Sequence, residues 1–215
     1  MMISSGLWRL GGRMTWPFWA LYVLHLGGSA FHIGFIAAVS SFFTLIPAFF
    51  GGYLADTFGR KKMMYSMSFL LAFNTIIYIL APSWEWLLIA RSLDSIFGGL
   101  RQPAFNALLA DSTTAENRAM SYGMWQAIPP IFGLLSPYAI GILMDTIGIL
   151  EAQRWAYLIL FASSFLGAFM RWRYLTETLP HEAVEKVSAV SILRDTLDDF
   201  KETARVLPRQ MWILI

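Results

Sequence analysis

The chain has 215 residues, 57% of them hydrophobic, with a mean hydropathy of +0.55, no cysteine, and 16 basic against 14 acidic residues. That apolar content, gathered into long uncharged runs, argues against a soluble domain. A net charge of +2 carries no nucleic-acid signal, and a chain without cysteine has neither disulfides nor thiolate metal sites.

Six membrane-spanning helices are expected, each near the roughly 20 residues that cross a hydrocarbon core of about 30 Å. The first covers about 7–27. No cleavable signal pattern precedes it, so it reads as a retained span. It must accommodate Arg9 and Arg13, four apart on one face, with Arg9 snorkelling to an interface and Arg13 a turn deeper against protein or water. Trp8, Trp16 and Trp19 suit an interfacial end. The second span, 34–54, holds no formal charge, and the third covers 63–81. The fourth, 86–110, carries Arg91, Asp94 and Arg101, and a polar stretch from Asp111 to Arg118 follows. The fifth, 120–144, contains Pro129, Pro130 and Pro137, read as kinks in a membrane helix. The sixth, 155–175, follows an outer stretch from Asp145 to Arg154 and ends with Arg171 and Arg173.

Charge fixes the expected orientation. Arg9, Arg60, Lys61, Lys62, Arg118, Arg171 and Arg173 fall on one side of this topology, and Arg154 alone on the other, so the N-terminus and the stretch after span six are cytoplasmic. Residues 176–208 read as a cytoplasmic amphipathic linker, with Val187, Val190, Leu193, Leu197, Phe200, Ala204 and Leu207 at helical spacing. Residues 209–215 read as the start of a seventh span, cut short.

The most informative stretch is Gly52-Tyr-Leu-Ala-Asp56-Thr-Phe-Gly59-Arg60-Lys61-Lys62, a short polar turn between spans two and three. It resembles the loop signature of the major facilitator superfamily, G-x-L-x-D-[RK]-x-G-R-[RK]-[RK]. Gly52, Leu54, Asp56, Gly59, Arg60, Lys61 and Lys62 match, and Thr57 departs where a basic residue is usual. The end of span five, Gly141-Ile-Leu-Met-Asp145-Thr146-Ile-Gly148, echoes the same pattern 89 residues later and three spans on. An odd number of spans puts the two copies on opposite membrane faces, the sequence mark of a 3+3 inverted repeat.

The resemblance implies an all-α membrane protein: the N-terminal six-transmembrane-helix bundle of a twelve-span secondary transporter, in the cell membrane. Its activity would be alternating-access movement of a small solute, proton-coupled, with a lean to export. No enzyme activity and no cofactor or metal are implied. Expected partners are a small-molecule substrate, protons, membrane lipids and the C-terminal half of the same transporter, not nucleic acid. Two rivals are a non-transporting membrane receptor or scaffold on the same bundle, and a half-length product that dimerises.

The resemblance also assigns residues. Gly52, Asp56, Gly59, Arg60, Lys61 and Lys62 would form a cytoplasmic gate, with Asp56 near the N-terminus of a second-half helix. Arg60 would pair with a carboxylate at the inner end of span four, for which Asp111 and Glu116 are candidates. In span four, Arg91, Asp94, Gly98, Arg101, Gln102, Phe105 and Asn106 share one helical side, which should face the bundle interior. Arg91 and Asp94, three apart, are read either as cavity groups, with Asp94 protonatable, or as a self-neutralising pair. Arg13, Arg101, Gln102 and Asn106 complete the cavity candidates. Gly133, Pro137 and Gly141 resemble a degraded fifth-helix packing signature associated with exporters. His25, His32 and His181 read as span-end or exposed residues.

Overall fold

The computed structural model describes residues 2–178, and among them all regular structure is helical. The helices are α1 (Met2–Thr15), α2 (Trp19–His25), α3 (Ala30–Phe58), α4 (Arg60–Leu80), α5 (Trp84–Asp111), α6 (Arg118–Ile131), α7 (Ser136–Ile147) and α8 (Ile149–Tyr174), with a 3-10 turn at Trp16–Phe18. His181, the linker beyond residue 178 and the apolar 209–215 segment lie outside the described residues.

Proline explains the interruptions. Lacking an N–H and crowding the carbonyl four residues back, it breaks the helical ladder. Pro17 opens the 3-10 turn that divides the expected first span into α1 and α2. Pro47 lies in α3, whose arms Ala30–Leu45 and Phe50–Phe58 meet at 54°. The fifth expected span falls within Arg118–Ile147, which stays long enough to cross as one stretch but is interrupted in its helical ladder. Pro129, Pro130 and Pro137 remove three donors within nine positions, and residues 132–135 pass as turns between α6 and α7.

By length and composition, α4, the Arg118–Ile147 stretch and α8 can each cross a membrane, and α3 makes a fourth if its two arms are one span. At 28 residues α5 is equally long, but it carries Arg91, Asp94 and Arg101 through its middle. It packs between α3 and α4, α4 in turn packs on α8, and α1 lies against α8, α6 and α7. In lipid such contacts depend on close fit rather than on water exclusion, so small residues matter at crossings. A Cβ on Gly99 of α5 would lie 2.7 Å from Pro47 Cβ, and one on Gly51 would lie 3.0 Å from Pro103 Cγ. Glycine and proline of the two helices thus interlock twice. Serine and threonine hydroxyls return to their own helix: Ser40 donates to Ile36 O at 2.6 Å and Ser68 to Met64 O at 2.7 Å.

The two copies of the repeated pattern form the same turn. Gly59 (φ 92, ψ 131) closes α3 and opens α4 with nothing between, and Gly148 (φ 89, ψ 158) does the same for α7 and α8. Both sit in backbone space nearly reserved for glycine. Because Gly148 leaves no room for a loop, α8 starts at Ile149, six residues ahead of the expected span, and Glu151 and Arg154 pair along its first turns at 3.3 Å.

Two residues differ from their sequence reading. His32 is not simply exposed: it forms a capping box with Ser29 and stacks on Trp84, ring centroids 4.0 Å apart. Arg171, counted among the charges at a membrane face, is buried, its Nη1 donating to Ser68 Oγ of α4 at 2.7 Å.

Candidate functional site

Two polar constellations stand out, a cavity inside the bundle and the turn at the α3–α4 junction. The cavity, about 520 Å³, is lined from α1, α4, α5 and α8, with Trp16 of the 3-10 turn on its wall. Arg9, Arg13, Arg91 and Arg101 line it together with a single acid, Asp94. Placing one such charge at a bilayer centre costs about 2.5–3.5 kcal/mol on insertion scales, so the sequence tolerates them only where other groups compensate.

Asp94 and Arg91 do not form a direct ion pair. Tyr78 Oη donates to Asp94 Oδ2 at 2.8 Å and Asn74 Nδ2 donates to Asp94 Oδ1 at 2.7 Å, so each carboxylate oxygen has a donor from α4. The same Asn74 nitrogen also donates to Ala90 O at 2.8 Å. Among the described residues, the ion pairs within 4.0 Å do not include Arg91–Asp94. The Arg91 guanidinium instead lies over Trp16, 4.7 Å from the ring centroid, and 5.9 Å from that of Trp19. Such stacking is worth up to about 2 kcal/mol when desolvated. Arg101 sits 5.5 Å from the Trp8 centroid, and Arg9 lies over Trp8 and Trp125. Trp16 and Trp19 both line the cavity. Behind Tyr78, an aromatic stack fixes the floor: Tyr78 and Tyr157 are parallel at 4.8 Å, and Tyr22 donates its hydroxyl to Tyr78 O at 2.6 Å.

The remaining span-four candidates divide. Gln102 lines the cavity and donates to Asn106 Oδ1 at 3.0 Å. Asn106 is absent from the cavity lining and accepts Tyr122 Oη at its carbonyl, 3.3 Å away. Arg13 packs its stem on α6–α7: a Cβ on Gly133 would lie 2.8 Å from Arg13 Cγ and 2.8 Å from Arg9 O. Gly133 is thus a close-packing position, whereas a Cβ on Gly141 would meet nothing within 4 Å, and Pro137 starts α7.

At the turn, Arg60 is the hub. Its Nε donates to Asp56 Oδ1 at 2.9 Å, and its Nη1 donates to Asp111 Oδ2 at the end of α5. Glu116 is exposed and makes no ion pair with Arg60. Burial opposes the Arg60 charge, but hydrogen bonds to Asp56 and Asp111 outweigh it and raise the Arg60 pKa above its ordinary value. The Thr178 hydroxyl donates to Asp111 Oδ2 at 2.6 Å. That bond first, then Arg60, holds the Asp111 carboxyl below its ordinary value of 3.8. Gly52 faces open space, and Lys62 is exposed.

Sequence reasoning missed Glu177. Its carboxylate accepts the Arg60 N–H at 3.2 Å and the Lys61 N–H at 3.1 Å, capping the first turn of α4, where Gly59 has no side chain to do so. Nothing near residue 177 in the sequence signals a cap for a helix more than a hundred positions earlier. Tyr78 was also missed, because a tyrosine in an apolar run reads as packing.

Comparison with known proteins shows the family and the fold. The sequence matches the Major Facilitator Superfamily over residues 1–215. It is 30% identical over 188 residues to the "Na(+), Li(+), K(+)/H(+) antiporter" of Planococcus maritimus, a match covering 80% of this chain and 41% of that protein. It is 28% identical over 174 residues to the multi-drug resistance efflux pump PmrA of Streptococcus pneumoniae, covering 79% of this chain and 42% of the pump. The fold superposes with a TM-score of 0.62 on a crystal structure of the peptide transporter POT in complex with alafosfalin, at 15% identity, covering 95% of this chain and 44% of that one. The chain thus spans less than half the length of these relatives. A helical bundle with this turn, this cavity and these relatives is a multi-pass membrane protein, and the chain belongs to the Major Facilitator Superfamily.

Proposed function

We propose that the chain is the N-terminal half of a secondary transporter that moves a small solute across the cytoplasmic membrane by alternating access. Residues 1–175 form its six-helix unit, 176–208 a cytoplasmic linker, and 209–215 the start of a seventh span. The observation that carries the reading is the Asp56–Arg60–Asp111 bridge. It ties the α3–α4 turn to the end of α5, the helix that also brings Arg91, Asp94 and Arg101 to the cavity. A cation bridging two helix ends is a breakable latch, and breaking it lets α5 shift relative to α3 between two states. Glu177 and Thr178 meet the same turn, which supports a cytoplasmic position for the start of the linker alongside Arg60, Lys61 and Lys62.

Asp94 is the proposed proton-coupling group. It is the acid among the cavity residues, and each of its oxygens accepts one hydrogen bond, from Tyr78 and from Asn74, so protonation would rearrange them. Export is favoured slightly, since PmrA is an efflux pump by name. The test is accumulation or extrusion of candidate solutes in vesicles under an imposed pH gradient. Asp94→Asn should abolish gradient-driven movement while leaving solute binding intact. Arg60→Ala should reduce flux in either direction. Surface expression with no solute movement under any gradient would favour a receptor or scaffold instead.

A further inference from the structure

We propose that the cavity is a binding site for a flat organic anion, an aromatic carboxylate or sulfonate, gripped by Arg91 and Arg101 and faced by Trp8 and Trp16. The inference deepens the transporter reading and rests on it for the ligand's movement, though not for its binding. Four guanidinium groups line the cavity against one carboxylate, a formal excess of three positive charges. The carboxylate is occupied, with Asn74 and Tyr78 donating one hydrogen bond to each of its oxygens. Among the described residues, Arg13, Arg91 and Arg101 make no hydrogen bond and no ion pair within 4.0 Å. Arg91 and Arg101 rest on tryptophan faces instead. A guanidinium held near an indole ring, with its N–H groups engaged by no carboxylate or carbonyl, can receive a carboxylate or sulfonate in bidentate fashion.

The shape points the same way. Trp16 is 62% exposed although it stands on the cavity wall, so much of its rigid indole is open to a ligand beside the Arg91 guanidinium that lies over the ring. Thr75, Ser95 and Ser164 add small hydroxyl groups, and about 520 Å³ suits a ligand of one or two rings. A bare metal cation, by contrast, would face the same three excess positive charges and a carboxylate already spoken for.

The experiment compares two probes that share one ring system. The protein is purified in a neutral detergent and titrated by calorimetry with 2-naphthoate and with 2-naphthylmethylammonium, which partition alike but differ in charge. The expected result is at least tenfold tighter binding of the anion, weakened several-fold between 50 and 500 mM salt. Arg91→Gln and Arg101→Gln should each lose about tenfold, with Arg91→Lys intermediate, because a point charge replaces the planar fork. Equal or tighter binding of the ammonium probe to the unmodified protein overturns the proposal without recourse to any variant. So does no binding of naphthoate, or naphthoate affinity unchanged in both glutamine variants. Vesicle flux separates this from the transporter reading. Selective anion binding without gradient-driven flux supports the site and refutes transport, and gradient-driven flux of the ammonium probe alone refutes the site and leaves transport standing.

Discussion

Replacing Gly59 and Gly148 by alanine, one at a time, separates two contributions that the α3–α4 turn combines. Both glycines hold nearly the same backbone, φ 92 and φ 89, and each joins two helices directly. Alanine at either position should cost about 1–3 kcal/mol for occupying a region nearly closed to L-residues. Their surroundings differ. A Cβ at position 148 meets nothing within 4 Å, whereas one at position 59 would lie 2.8 Å from Glu177 Oε2. Gly59→Ala must therefore also push the Glu177 carboxylate off the Arg60 and Lys61 N–H groups, and losing a helix cap costs about 0.5–2 kcal/mol more. The expected totals are about 1–3 kcal/mol for Gly148→Ala and about 1.5–5 kcal/mol for Gly59→Ala. The assay is equilibrium unfolding in mixed detergent micelles, followed by tryptophan fluorescence. A double-mutant cycle with Glu177→Ala completes it: that change should cost about 1 kcal/mol in the unmodified protein and close to nothing beside Gly59→Ala, because the cap is already displaced. If Gly59→Ala is no more damaging than Gly148→Ala, or if Glu177→Ala costs the same in both backgrounds, the capping argument is wrong.

The latch supplies a second prediction. Because the chain has no cysteine, Thr57→Cys provides a unique thiol at the turn. Its labelling rate should rise several-fold in Asp111→Asn, which breaks the bridge to Arg60, and stay unchanged in Glu116→Gln. The Asp111 carboxyl is held below its ordinary value of 3.8, so its contribution is present above that value and is lost as pH falls through the lower folded value. Labelling should therefore be insensitive to this group from pH 5 to 8, with loosening only below about pH 4. At the α3–α5 crossing, Gly99→Ala should destabilise by about 1–3 kcal/mol, since its methyl would meet the rigid Pro47 ring at 2.7 Å. Gly98→Ala, with nothing within 4 Å, should be close to neutral, and equal effects of the two would disprove the interlock.

The sequence alone determined the class of this protein, because that depends on properties local to the chain. Uncharged runs long enough for the bilayer, glycines ending them, and basic residues at one turn are all visible in one dimension. So was the Gly52–Lys62 signature and its echo at Gly141–Gly148, since a helix end that must turn on a single residue demands glycine wherever it occurs. Helix interruptions at Pro17 and across 132–135 were legible as proline positions but not as breaks. Whether a missing donor bends a helix or ends it depends on what neighbouring helices supply.

Only the tertiary structure decided the partners. Helical spacing put Arg91 and Asp94 on one side of α5 and left a mutual pair and separate roles equally open. The bundle resolved this by bringing Asn74 and Tyr78 of α4 to the carboxylate and Trp16 to the guanidinium. Asp111 and Glu116 were equivalent as sequence, yet only Asp111, the last residue of α5, reaches Arg60. Glu177 caps a helix 117 residues before it. These are contacts between segments distant along the chain, and they rest on how helices cross, which no local pattern encodes.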